Sequence, residues 1–172
     1  MKFQLKFDKD VYNHQMDLLF DLAWKRKKEF YRNSQYFGFI LLIIGCALIF
    51  ERPSFFNFAI IVFGLSILIP YFYYYFKIKS VYKKLETEKA IQIEAAKKHN
   101  TIFWEFTETC LIMESEELEK KLNWEEFIIH LVKENNLLMI TKSYEPYVLG
   151  ETEVGKDNFK MIVDFVNAKI SH

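Results

Sequence analysis

The chain is 172 residues long, 51% hydrophobic and 27% charged, with a net charge of zero, which admits one ordinary domain or a small domain plus a membrane hairpin. Its two cysteines, Cys46 and Cys110, show neither a metal spacing nor a paired framework, which argues against a disulfide scaffold. The zero conceals a basic front and an acidic back: residues 1–34 balance at +3, 77–98 at +4 and 99–172 at −7, while Gln35 to Phe76 holds only Glu51 and Arg52.

KFQLKF (Lys2 to Phe7) alternates, with Phe3, Leu5 and Phe7 on one face, and predicts a short strand. Asp10 is placed to cap a helix from Val11 onward, in which Tyr12, Met16, Leu19 and Ala23 recur at helical spacing. Leu18, Phe20, Leu22 and Trp24 broaden that apolar side. Residues 1–34 therefore read as a strand and an amphipathic helix.

Residues 35–76 read as a transmembrane helical hairpin, with spans at about 33–50 and 55–76. The run YFGFILLIIGCALIF (Tyr36 to Phe50) covers roughly 22 Å as a helix. That is short for a hydrocarbon core of about 30 Å, unless Arg32 snorkels and Asn33, Ser34 and Gln35 lie at the interface. FFNFAIIVFGLSILIPYFYYYF (Phe55 to Phe76) reaches roughly 33 Å alone. The joint ERPS (Glu51 to Ser54) is so short that the two helices must run antiparallel. Gly38, Gly45, Ala47, Ala59 and Gly64 are candidates for the seam, and Pro70 predicts a modest kink. A buried hairpin in a soluble protein would need a coat of further helices that the chain does not supply. A cleaved signal peptide fits no better: the apolar stretch starts late, is doubled and lacks a small-residue cleavage pattern.

Lysine and arginine next to a span are retained in the cytoplasm. Lys25, Arg26, Lys27, Lys28 and Arg32 precede the first span and Lys77, Lys79, Lys83 and Lys84 follow the second, whereas the joint offers Arg52 alone. Both termini are expected in the cytoplasm of a bacterial cell, with the joint outside. The six aromatics Tyr71, Phe72, Tyr73, Tyr74, Tyr75 and Phe76, ahead of those lysines, read as an interfacial belt.

Residues 77–100 have helical periodicity without Gly or Pro and read as a stalk. In 101–172 the period shortens. IFWEFT, CLIME, KLNW (Lys121 to Trp124), EFIIHLVKE, LLMITKS and YVLG all favour strands, Asn135 and Asn136 mark a tight turn, and Asn158 to Ile170 shows a helical face. The fold class is α+β: a two-helix transmembrane hairpin plus a small antiparallel β-meander or barrel closed by a C-terminal helix.

This order is similar to that of the YcxB-like family of bacterial membrane proteins. The most suggestive local match is FWEFTETCLIMESEELEKKLNWEEFIIHLVKENNLLMI, in which two strands lead to Trp124, followed by an alternating strand, a polar turn and an apolar strand. The resemblance covers nearly the whole chain and implies a pleckstrin-homology-like C-terminal domain. It brings no catalytic residues. Where the family tends to have an Ile-Pro-Lys-like element before the last helix, this chain has Leu149, Gly150 and Glu151.

The residues advertise little chemistry. The five glycines form no phosphate loop, and His14, His99, His130 and His172 share no ligand spacing with one another or with cysteine. ESEEL (Glu114 to Leu118) lacks the alternation and glycine of a calcium loop and reads as a solvated turn. Glu125 and Glu126 are adjacent on a predicted strand and point apart. Aromatics among lysines suit nucleic acid, but here they flank apolar spans and precede an acidic domain.

The expectation is thus a non-enzymatic anchor in the bacterial cytoplasmic membrane, with no cofactor, metal or nucleic acid. Its partners would be the lipid bilayer and a protein or another copy of itself, met through the cytoplasmic domain. The alternative from another class is an immunity protein that neutralises a membrane-acting toxin.

Overall fold

The computed structural model describes residues 1–96, 101–115 and 119–170. The last residues of the expected stalk, most of ESEEL, His99 and His172 lie outside the described residues. The fold is α+β, with two long apolar helices and two antiparallel sheets. In chain order the elements are β1 (Lys2–Lys6), α1 (Lys9–Glu51), α2 (Phe55–Ala96), β2 (Thr101–Phe106), β3 (Cys110–Glu114) and β4 (Glu119–Asn123). There follow β5 (Phe127–Lys133), β6 (Asn136–Thr141), β7 (Pro146–Gly150), α3 (Glu151–Val154) and α4 (Lys156–Lys169). The chain divides into two compact units, Met1–Leu19 with Lys89–His172, and Phe20–Glu88.

In the first unit β1 is the edge strand of a sheet. It pairs antiparallel with β2, so that one sheet runs β1-β2-β3-β4 and the other β5-β6-β7. Register places inward residues opposite one another: Phe3 faces Trp104, Trp104 faces Met113, Phe106 faces Leu111, and Leu111 faces Leu122. Such cross-strand pairs of large apolar side chains hold a sheet's register. Phe127, Leu137, Met139 and Leu149 complete the core from the second sheet, and Phe159, Ile162, Val166 and Ile170 close it from α4. Residues 159, 162 and 166 fall on one face of a helix, which is why the helix docks along that line.

Among the described residues no closed barrel forms, which corrects the barrel expectation. The break is at Trp124. KLNW does not continue as strand through the tryptophan, because Trp124–Glu126 turns as a 3-10 helix between the sheets. Trp124 is drawn inward: its Nε1–H donates to the Thr107 carbonyl at 3.0 Å, and its ring meets those of Phe106, Phe127 and Phe165 at 5.7 to 6.2 Å. The Asn123 N–H donates to Glu126 Oε1 at 2.9 Å and fixes the turn from the other side. A polar cluster also bridges the sheets, with Lys120 of β4 2.6 Å from Glu145 and the Tyr147 hydroxyl of β7 donating to the same carboxylate at 2.8 Å. These two hydrogen bonds hold the Glu145 carboxyl below the usual value.

Two local expectations shift by one or two residues. The β5–β6 turn is Glu134–Asn135, with φ of 50° and 57°, the pair of positive φ values that a two-residue type I′ hairpin requires. Asn136 begins β6 and is buried. The cap of α1 is Asp8 rather than Asp10: its Oδ1 accepts from the backbone N–H groups of Asp10 and Val11 at 2.8 and 3.0 Å.

In the second unit α1 and α2 form the expected hairpin, joined by Arg52 to Ser54. Asn57 ties the joint together, donating from Nδ2 to the carbonyls of Leu48 at 3.1 Å and Arg52 at 2.8 Å. The Ser54 hydroxyl in turn accepts the Asn57 N–H at 3.3 Å. Gly38, Gly45 and Gly64 are buried in the seam, whereas Ala47 and Ala59 are exposed. A Cβ on Gly64 would lie 3.1 Å from the Gly38 carbonyl oxygen, so here the two backbones nearly touch. Pro70 lies inside α2, which runs through it without interruption.

Candidate membrane interface

Both helices are long and apolar enough to cross a membrane. Only 11% of the apolar window in α1 and 17% of that in α2 is buried. Phe37, Ile43, Phe50, Phe55, Val62 and Ile69, among others, are exposed. A core helix of a water-soluble protein buries such a stripe; these two present it outward all round, apart from the glycine seam.

The aromatic run sits on α2. Its six rings are not equivalent. Tyr71 and Tyr74 are half-buried while Phe72, Tyr73, Tyr75 and Phe76 are exposed, as a three-residue step on a helix facing a neighbour dictates. Tyr74 stacks on Tyr31 of α1, centroids 4.3 Å apart and planes within 16°. The Lys27 ammonium lies over both the Trp24 ring (5.5 Å) and the Tyr74 ring (5.7 Å), and that of Lys77 over Tyr73 (5.6 Å). Further along, Phe20 meets Tyr82 edge to face at 5.0 Å. Part of the aromatic run is thus a zipper, since Tyr74 closes the helix pair.

Tyr31 was the residue that sequence patterning missed. The signal was present: Phe20, Trp24, Lys27 and Tyr31 fall at steps of four, three and four, the spacing of a seam between two helices.

The basic flanks are also placed. Lys25, Arg26, Lys27, Lys28 and Arg32 lie on α1, and Lys77, Lys79, Lys83 and Lys84 on α2. Among the described residues none of these nine forms an ion pair with a carboxylate, although Glu29, Glu86 and Glu88 lie within the same stretches. In these two stretches the nine basic residues outnumber the carboxylates Glu29, Glu86 and Glu88.

No known protein family, curated protein or solved structure matches this chain.

The strand unit holds one polar centre that the sequence did not announce. Gln15 of α1 donates from Nε2 to Glu153 Oε2 at 2.7 Å and approaches Asn136 Oδ1 at 3.4 Å. The Gly150 N–H donates to the same Glu153 oxygen at 2.6 Å. A Cβ on Gly150 would stand 3.0 Å from Asn136 Oδ1 and 3.2 Å from Glu153 Oε2, a tight fit that would press on the side chains of the knot. Nearby, Lys89 of α2 is buried and paired with Asp17 of α1 at 2.6 Å.

Burial pushes the Glu153 carboxyl above the usual 4.5, against the two hydrogen bonds that pull it down. A carboxyl held above its unfolded value binds its proton more tightly when folded. Stability is therefore greatest below the unfolded value and declines as pH rises through the folded one. Glu153→Gln keeps an oxygen acceptor for both donors and removes the titration. Urea unfolding of the detergent-solubilised protein between about pH 4 and pH 7 is expected to show a shallower decline for the variant than for the wild type. An unchanged slope would assign the pH dependence to other groups.

Among the described residues no three His, Cys, Asp or Glu side chains converge on a metal-holding arrangement. His130 Nε2 bonds Asn167 Oδ1 at 2.9 Å, and His14 lies 3.6 Å from Glu134 at the surface.

Proposed function

We propose that the protein is a non-enzymatic integral membrane protein. In this reading α1 and α2 cross the bacterial cytoplasmic membrane as a hairpin with both termini in the cytoplasm. The strand unit is a pleckstrin-homology-like domain, as in the YcxB-like family, that binds a protein partner or a second copy of the chain. The observation that carries the reading is the outward apolar surface of two bilayer-length helices, ended on one side by rings and lysines. Nine basic residues at the base against Arg52 alone at the joint support the orientation. Two antiparallel sheets with a C-terminal helix packed into their common core support the domain assignment. The balance of −7 over 99–172 favours a protein partner for the domain, because an anionic leaflet repels it.

Two treatments of whole cells and membranes test the anchor. The protein is expected to remain in the pellet after alkaline carbonate extraction. In a Cys46→Ala, Cys110→Ala background, Ser54→Cys is expected to react with an impermeant thiol reagent on intact cells. Release by carbonate would remove the anchor, and labelling only after lysis would invert the hairpin. For the domain, affinity capture from gently solubilised membranes is expected to recover a partner set that a variant with an unfolded strand unit loses. Identical sets would count against an interaction domain.

A further inference from the structure

We infer that the base of the hairpin holds a site for the headgroup of an anionic phospholipid, built from the ammoniums of Lys27 and Lys77 on a shared platform of rings. The inference rests on the membrane reading above and names the ligand that its charged end selects.

The geometry is continuous across the two helices. Lys27 lies over Trp24 and Tyr74, Tyr74 stacks on Tyr31 and meets Tyr73 edge to face at 5.2 Å, and Lys77 lies over Tyr73. Each ammonium is thus held against ring faces instead of swinging on a free four-carbon stem. A ring face attracts the cation but accepts no strong hydrogen bond. An ammonium carries three N–H donors, and those turned away from the ring stay available to a phosphate oxygen. Neither lysine forms an ion pair with a carboxylate among the described residues.

The same atoms argue for a lipid as its source. Tyr73 under the Lys77 ammonium is exposed, as are Phe72, Tyr75 and Phe76 in the same run of α2, and further exposed apolar side chains continue along both helices. A phosphate there that brings its own acyl chains covers the apolar surface and neutralises the charge together. Inorganic phosphate covers nothing. Tyrosine rings and lysines at headgroup depth are the side chains that suit such a boundary.

The test uses full-length protein in nanodiscs of phosphatidylcholine containing a minority of phosphatidylglycerol, with the lipid that remains bound after transfer to detergent identified by mass spectrometry. Wild type is expected to retain phosphatidylglycerol above its share of the bilayer. Lys27→Gln with Lys77→Gln is expected to reduce that enrichment on the order of tenfold, while Lys156→Gln with Lys160→Gln, the same charge change on α4, leaves it intact. Tyr74→Leu keeps every charge and removes the platform, so it too is expected to lower the enrichment. Retention at full strength in Tyr74→Leu, or equal losses in the two lysine pairs, would overturn a built site in favour of diffuse attraction. Displacement of the lipid by inorganic phosphate would overturn the lipid as source. A protein that stays in carbonate-washed membranes but shows no enrichment sinks this inference alone; one that washes off sinks the membrane reading as well. Helical circular dichroism, unchanged across the variants, separates loss of the site from loss of fold.

Discussion

Trp124→Ala is expected to bring the strand unit close to unfolding at ambient temperature. The ring is buried, touches Phe106, Phe127 and Phe165, and its Nε1–H is spent on the Thr107 carbonyl. Truncating a buried tryptophan costs about 3–5 kcal/mol, a large share of the roughly 5–15 kcal/mol that holds a domain folded. The position adds to the cost, because the 3-10 turn between the two sheets is anchored by this side chain. Urea unfolding in mild detergent measures it. Trp124→Phe keeps an aromatic ring but loses the hydrogen bond and part of the ring volume, and a smaller loss than alanine's is expected, about 1 kcal/mol for the hydrogen bond plus a partial packing cost. If alanine costs less than phenylalanine is expected to, the turn is not held by Trp124.

Gly45→Val is expected to force the hairpin seam apart. A Cβ at residue 45 would lie 2.6 Å from Ile61 Cγ1 and 3.2 Å from the Ile61 backbone nitrogen. No rotamer change moves a backbone atom, so the helices themselves must separate, an overpacking cost of about 1–3 kcal/mol. Gly38→Ala makes the informative contrast. Its new methyl would meet Leu68 Cγ and Cδ2 at 2.8 and 2.9 Å, atoms of a flexible side chain, and a smaller effect is expected. Spin labels at Phe37→Cys and Phe72→Cys, with the native cysteines replaced, report the separation. A distance distribution in Gly45→Val as narrow as in its parent would show that the seam is looser than these contacts imply.

What the sequence disclosed follows a physical division. The hairpin was legible because lipid-length apolar runs and a joint holding Arg52 and Pro53 are local features, and α4 because Phe159, Ile162 and Val166 repeat within one helix. The strand at Lys2–Lys6 was legible for the same reason. Its partner was not. β1 pairs with β2 across the whole hairpin, and no local pattern encodes a contact so distant along the chain. Trp124 read as strand because alternation continues through it; only the Thr107 carbonyl and the Glu126 carboxylate bend the chain there. Gln15, Asn136 and Glu153 each look like solvated polar residues in isolation and become a centre only together. On the hairpin, the rings and lysines are visible in the sequence, but the stack of Tyr31 on Tyr74 depends on how two helices are rotated, which composition does not set.

The pairing of β1 with β2 also imposes an order of assembly. During synthesis Lys2–Lys6 emerges before its partner and must wait, an unpaired edge, until the intervening residues up to β2 have been made. As a flexible coil that insertion would carry an entropy of closure growing as the logarithm of its length. With Lys9–Glu51 and Phe55–Ala96 folded as two helices joined by a short turn, the chain reverses its direction by geometry, so formation of the hairpin becomes the step that lets the sheet zip. A waiting strand has a second option, the β2 of a neighbouring chain at the same stage, and exchange of this first strand between two copies is the misassembly to which such a discontinuous domain is most exposed.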